Sequence, residues 1–182
     1  ATVMFADITD FTGISERLPP QELIQTVNEY FELMVDVIFK YEGTLDKFIG
    51  DEIMAIWGAP ISHPDDIERS VRCAIEMQEA LAEYNREREE AGEVTFHVGV
   101  GLNTGEVVAG YTGSTKSMNY TVVGDNVNTA ARICSAAGPD EVLIGGNTYE
   151  EVSGVVRAEQ LPPTKLKGKV KQVEIYKVDG LI

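Results

Sequence analysis

Two long helix-like segments, separated by a pair of strand-like runs, constrain the fold of this chain most. In residues 18–43 and again in residues 63–93, apolar side chains recur at helical spacing between prolines at the start and a glycine at the end. Between these segments, the runs TLDKFI and EIMAIWG are joined at Gly50-Asp51. This junction is typical of a hairpin, because glycine tolerates the positive φ of a tight turn. The hairpin places Asp51 at a strand tip.

Further strand-like runs before and after the two helices complete the order βαββαβ. TVMFADI precedes the first helix, TFHVGVGLNTG follows the second, and EVLIGG, TYEEVSG, VVRAEQL and QVEIYKV add strands and a short helix. We therefore expect an α/β (α+β) fold with a ferredoxin-like or palm-type βαββαβ core. The sheet should be mixed and mostly antiparallel, with helices on one face and C-terminal αβ additions.

Length and composition fit one domain over residues 1–182, since 182 residues with 43% hydrophobic content support a single sizeable core. The net charge of −15 argues against nucleic acid and against contact of this domain with an anionic membrane. Two cysteines in helix-like segments, with no signal peptide, predict a reduced, cytoplasmic chain. The strand at residue 1 suggests a domain edge inside a longer protein, which could carry upstream regulatory domains and a membrane attachment.

Two carboxylates are candidates for a metal site. Asp7 ends an apolar strand, where an unpaired carboxylate is costly, and Asp51 lies on the hairpin tip. If their strands are neighbours in the sheet, the pair could share one or two hard divalent ions. The alternative is that each aspartate simply accepts backbone hydrogen bonds in a turn.

Basic and amide side chains are candidates for contacts with an anion. In GDNVNTAAR, residues 124 to 132, Asn128 and Arg132 share one helix face over Ala130 and Ala131, where the small side chains would leave room for a ligand. The segment LPPTKLKGKVK places four of the fifteen cations within seven residues, Lys167 among them. Taken singly, Arg132 and the strand residue Lys47 are more often solvated surface residues.

Four blocks occur together in the order known from one family. They are FADITDFT (5 to 12), DKFIGDEIMAIWG (46 to 58), GLNTGEVVAG (101 to 110) and NYTVVGDNVNTAAR (119 to 132). The chain resembles the catalytic domain of the class III nucleotidyl cyclases over essentially its full length. The resemblance implies that Asp7, Asp51 and the backbone carbonyl of Ile8 bind two divalent ions, Mg²⁺ or Mn²⁺.

The resemblance also implies roles for substrate-binding and catalytic residues. Asn128 would orient the ribose, and Arg132 would stabilise charge at the α-phosphate. Lys167 would bind the triphosphate, and Lys47 and Thr121 would read adenine. Further substrate contacts fall on Phe11, Thr12 and Val122.

Lysine can donate to adenine N1, so the chain resembles an adenylyl cyclase that forms 3′,5′-cyclic AMP and pyrophosphate from ATP. Ser117 departs from the family, where many relatives have arginine. A guanylyl cyclase, a diguanylate cyclase and a nucleotide-binding module without turnover are the alternatives. The resemblance further implies a head-to-tail homodimer with two shared sites, and Thr121 resembles a subgroup that bicarbonate often stimulates.

Overall fold

A computed structural model describes residues 1–163, 166–168 and 172–182. The strands are β1 (Thr2–Ile8), β2 (Thr44–Ile49), β3 (Glu52–Trp57), β4 (Val98–Thr104), β5 (Val108–Ser114), β6 (Ser117–Val123), β7 (Val142–Gly145), β8 (Val156–Gln160) and β9 (Ile175–Leu181). The helices are α1 (Phe11–Arg17), α2 (Pro20–Lys40), α3 (Asp66–Glu90), α4 (Asp125–Ala136) and α5 (Gly146–Val152).

Seven strands form one sheet in the order β2-β3-β1-β4-β7-β9-β8. The first four give the neighbour relations of a βαββαβ core, and every pair in the sheet is antiparallel except the parallel pair β4 and β7. The expected mixed, mostly antiparallel sheet with C-terminal additions is therefore confirmed. Because β1 lies between β3 and β4, the end of β1 meets the β2-β3 hairpin.

Helices α2, α3 and α5 cover one face of the sheet. Met34 and Ile38 of α2 and Met77 and Leu81 of α3 pack with inward residues of the central strands in the larger core cluster. Burial of these apolar faces is the main favourable contribution to folding. The short helix α1, which the periodicity analysis did not identify, follows β1 and starts at Asp10, whose side chain accepts a hydrogen bond from Gly13 N at 3.3 Å.

Helix α4 lies on the opposite face, so the expectation of helices on one face only is wrong. Ala130 and Cys134 pack there against Val3 and Phe5 of β1. The approach to β4 is very close, because a Cβ added at Gly101 would lie 2.2 Å from the backbone nitrogen of Cys134. Glycine at position 101 thus sets the height of α4 above the sheet.

Strands β5 and β6 pair with each other in a separate antiparallel hairpin. Several of its large apolar side chains are exposed: Val108, Tyr111, Met118, Tyr120 and Val123. Both cysteines, Cys73 and Cys134, are buried and free, as expected. No helix in the described ranges is long and apolar enough to cross a membrane.

Candidate active site

Asp7 and Asp51 meet at the edge where β1 ends and β3 begins. The register pairs Ala6 with Ile53, which brings the hairpin tip beside the end of β1. The Asp51 carboxylate accepts a hydrogen bond from the backbone nitrogen of Ile8 at 3.2 Å. The predicted juxtaposition of these strand ends is therefore confirmed, with Gly50 in the left-handed turn conformation at φ 62°.

The electrostatics of this edge favour a cation. Burial, and then the adjoining Asp51 carboxyl, raise the pKa of Asp7 to about 7. Burial, and then the charge of Asp51, also raise the pKa of Glu52. In the described ranges no group of three or more His, Cys, Asp or Glu side chains could hold a metal ion. Two carboxylates and a backbone carbonyl suit Mg²⁺ or Mn²⁺, because Mg²⁺ usually takes one or two carboxylates with water and phosphate oxygens.

Asn128 and Arg132 lie on one face of α4, as predicted, with Asn128 exposed and Arg132 half-buried. The explanation offered for the alanines is wrong for Ala130. Its side chain is fully buried against the sheet, and its small size serves the close packing of α4 rather than a ligand. Ala131 is partly buried and packs against the same core cluster.

The loop that carries Lys167 lies against Arg132. A Cβ at Gly168 would be 3.0 Å from the Arg132 guanidinium, and Gly168 has a φ of 79°. Lys167 itself is exposed, and Leu166 beside it is buried. The other three lysines of the predicted cluster, Lys165, Lys169 and Lys171, lie outside the described residues. The structure therefore brings the backbone next to Lys167 beside Arg132.

Lys47 and Thr121 are joined by a residue that the sequence analysis did not identify. Asp46 Oδ2 accepts a hydrogen bond from Thr121 Oγ1 at 2.8 Å and lies 3.5 Å from Lys47 Nζ. The Asp46 side chain is 4% exposed, whereas that of Lys47 is 46% exposed. The lysine ammonium and the threonine hydroxyl thus converge on one buried carboxylate.

The remaining predicted substrate contacts differ in accessibility. Phe11 and Thr12 form the first turn of α1, three residues beyond the end of β1, where they adjoin the Asp7 edge. Val122 is 3% exposed and packs in the core on the α4 side of the sheet. Its side chain is therefore unavailable to a ligand, which leaves only its backbone for such a contact.

Comparison with known proteins identifies the family. Residues 1–180 match the family described as the adenylate and guanylate cyclase catalytic domain. The chain is 34% identical over 184 residues to adenylate cyclase 1 of Rhizobium meliloti (strain 1021), with 100% of the chain and 28% of that relative covered. It is 32% identical over 189 residues to an adenylate cyclase of Anabaena cylindrica, with 97% of the chain and 36% of that relative covered. The chain thus spans about a third of the length of these relatives.

Solved structures agree in fold across almost the whole chain. The adenylyl cyclase CyaB from P. aeruginosa is 33% identical with a TM-score of 0.94, over 97% of this chain and 92% of that one. The guanylyl cyclase Cya2 is 39% identical with a TM-score of 0.91, over 100% of this chain and 92% of that one. Similarity of this extent to both kinds of cyclase fixes the family, and the chain belongs to the adenylate and guanylate cyclase catalytic domains.

Proposed function

We propose that this domain is an adenylyl cyclase, which converts ATP to 3′,5′-cyclic AMP and pyrophosphate. In the reaction the ribose 3′-oxygen attacks the α-phosphorus, its proton leaves, and the bond to the bridging oxygen of pyrophosphate breaks. The observation that carries the choice of ATP is the convergence of Lys47 and Thr121 on buried Asp46. The two buried, free cysteines support the cytoplasmic location expected from the sequence.

Asp7, Asp51 and the Ile8 carbonyl would hold the divalent ions. Such ions, when bound, lower the pKa of the 3′-hydroxyl and neutralise charge on the phosphates. The raised pKa of Asp7, caused first by burial and then by Asp51, supports this assignment, because a bound cation would offset both effects.

The chain's own polar residues bind and orient the nucleotide. Arg132 donates hydrogen bonds to the α-phosphate as negative charge develops there, and Asn128 holds the ribose. Lys167, on the loop against Arg132, binds the triphosphate. Groups of this kind act by preorganised charge and positioning, and removing one typically lowers the rate on the order of 10²-fold.

The active form is a head-to-tail homodimer with two shared sites. The N-terminal end of α4 is tied to the start of β1, since Asn126 Nδ2 donates to the carbonyls of Ala1 and Gly105 at 3.1 Å each. Asp7 lies at the other end of β1, roughly 20 Å from Ala1 for a six-residue separation. No hydrogen bond or ion pair in the described part of the chain joins Arg132 to Asp7 or Asp51.

The exposed apolar side chains of the β5-β6 hairpin supply a surface for the second chain. Tyr111 and Met118 are 73% and 56% exposed, and among the described residues their strands pair only with each other. A two-stranded hairpin is marginally stable alone, and an exposed apolar patch commonly marks an interaction surface. A second copy would cover this patch and bring its own metal edge to the Asn128 and Arg132 face.

Product identification tests the proposal. The domain is incubated separately with ATP and GTP, with Mg²⁺ or Mn²⁺, and cyclic nucleotides are separated by chromatography and mass. We expect cyclic AMP and pyrophosphate from ATP, with little cyclic GMP from GTP. Cyclic GMP as the main product would identify a guanylyl cyclase instead. Tight ATP binding without any cyclic product would identify a module that does not turn over its nucleotide.

A further inference from the structure

A buried carboxylate lies behind the two side chains that we assign to the purine base. Asp46 is not among the residues assigned to the nucleotide above, yet it contacts both Lys47 and Thr121. A buried carboxylate is costly unless it is paired and hydrogen-bonded, and Asp46 has both kinds of partner here.

A β-bulge makes this arrangement possible. The register of β2 on β3 runs from Leu45 opposite Ala55 directly to Lys47 opposite Met54, so Asp46 is the extra residue. Ala55 belongs to the core under α2, whereas Met54 belongs to the core on the α4 side. Without the bulge, strand alternation would direct Asp46 and Lys47 to opposite faces. With it, both reach the face where Thr121 lies.

The Thr121 hydroxyl already donates its single proton to Asp46. A threonine hydroxyl offers one donated hydrogen bond and two lone pairs, and an ionised carboxylate can only accept. Because Thr121 Oγ1 donates to Asp46 at 2.8 Å, only its lone pairs remain for a ligand. Lys47 Nζ, by contrast, can only donate. The two groups therefore present one acceptor and one donor side by side.

We propose that Asp46 is a specificity-determining residue, which fixes the Thr121 hydroxyl as an acceptor and so selects a 6-aminopurine over a 6-oxopurine. This inference rests on the proposed function and deepens it. A 6-aminopurine donates from its 6-amino group to Thr121 and accepts at N1 from Lys47. A 6-oxopurine accepts at position 6 and donates at N1. Its acceptor would therefore face the acceptor of Thr121, and its donor would face the donor of Lys47. Unpaired buried polar groups are the strongest basis for such discrimination.

The test compares ATP with inosine triphosphate, which differs from ATP at position 6 and in the N1 proton and lacks the 2-amino group of GTP. The ratio of kcat/KM for the two nucleotides is measured in wild type, Asp46→Ala, Thr121→Val and the double variant. Because the ratio compares substrates on one preparation, the folded fraction cancels. With Thr121 in place, we expect Asp46→Ala to lower the ATP preference about tenfold, which is the order expected for one buried polar mismatch.

The double variant separates the polarity effect from any other effect of Asp46. In the Thr121→Val background no hydroxyl remains to be oriented, so Asp46→Ala should change the ratio far less. Thr121→Ser keeps the hydroxyl and should keep the ATP preference. The exposed Asp179→Asn serves as the control for loss of one negative charge. If Asp46→Ala does not fold, Asp46→Asn replaces it, because a neutral amide no longer obliges the hydroxyl to donate.

Equilibrium binding keeps this inference separable from the proposed function. Displacement of a fluorescent nucleotide by ATP or inosine triphosphate gives the same ratio without turnover. Absence of any cyclic product would refute the proposed activity, while the binding ratio would still report on Asp46. Equal wild-type affinity for the two nucleotides, or an unchanged ratio in Asp46→Ala while Thr121→Val lowers it, would overturn the role of Asp46.

Discussion

The carboxylates of Asp7 and Asp51 lie together at the sheet edge, which is unfavourable without a cation. Replacement of either one by alanine removes one of the two side chains proposed to hold the metal, so we expect cyclase activity to fall by on the order of 10²-fold or more. Without metal, the melting temperature of Asp7→Asn should not fall, because burial beside Asp51 already disfavours the charged form of Asp7. Cyclase assays with Mg²⁺ and thermal melts in a chelator check both statements.

The control for this prediction is Asp36→Asn, which removes one negative charge from an exposed position of α2. It should leave activity and melting temperature unchanged. Near-wild-type turnover in Asp7→Ala or Asp51→Ala would show that the residue concerned does not bind the metal.

Bicarbonate activation also belongs to the residue scale, and the structure weakens its physical premise. The physical reason for it is that a neutral threonine in place of aspartate removes one negative charge, whereas the Asp46 carboxylate, 2.8 Å from Thr121 Oγ1, keeps another at this corner. Bicarbonate activation itself stays a prediction. At fixed pH, the wild-type rate should rise with sodium bicarbonate above the sodium chloride control. No rise would reject the prediction, and an equal rise in Thr121→Asp would show that Thr121 does not cause the activation.

Sequence spacing could predict Asp7, Asp51, Asn128 and Arg132 but not Asp46. Strand ends and helix faces follow regular periods, so the first four residues could be placed from pattern alone. Asp46 occupies a bulge, and a bulge breaks the two-residue period on which such reasoning depends. Its contact with Thr121 is also separated by 75 positions in sequence.

At the scale of elements, the close packing of α4 on β4 positions the helix face that carries Asn128 and Arg132. Gly101→Ala would place a Cβ 2.2 Å from the backbone of Cys134, so α4 must move away from the sheet. We expect a loss of about 1–3 kcal/mol or more in the free energy of unfolding, as for other overpacked sites, together with reduced activity.

Gly154→Ala is the matched control, because a Cβ there meets no atom within 4 Å. Urea denaturation of the two variants gives the comparison. Equal stability of Gly101→Ala and Gly154→Ala would contradict the close seating of α4.

The loop containing Lys167 offers a second prediction at this scale. Gly168→Ala adds a Cβ 3.0 Å from the Arg132 guanidinium at a φ of 79°, so we expect a higher KM for ATP and a lower kcat. Gly92→Ala has a similar φ of 72° with nothing within 4 Å, and it controls for backbone strain alone. If both variants keep wild-type kinetics, the contact of this loop with Arg132 has no part in binding.

Among the elements, the long helices and the Gly50 hairpin could be predicted because apolar periodicity and turn residues are local signals. Helix α1 could not, because its seven residues bury only Ile14 and give no periodic pattern. The face that α4 covers could not be predicted either. It depends on contacts between Gly101 and Cys134, which are distant in sequence.

At the scale of the whole molecule, one chain carries both the proposed metal ligands, Asp7 and Asp51, and the proposed substrate face of α4 with Asn128 and Arg132. The exposed Tyr111 and Met118 of the hairpin provide an apolar surface for a second copy. Periodicity in a single sequence cannot predict a site shared between chains, because each chain folds completely without the other half of the site. The resemblance to the cyclases was the only source of that expectation.

Complementation between two inactive variants tests the shared site most directly. In a heterodimer of Asp51→Ala with Arg132→Ala, one site carries both defects and the other carries none. An equimolar mixture that exchanges freely should therefore recover about one quarter of wild-type activity, since half of the dimers are heterodimers with one intact site. Asp51→Ala mixed with Asp7→Ala should recover none, because both changes fall in the same half. Recovery of cyclic AMP synthesis in the first mixture alone is the predicted result. No recovery there, with heterodimers shown to form by native mass spectrometry, would contradict the account.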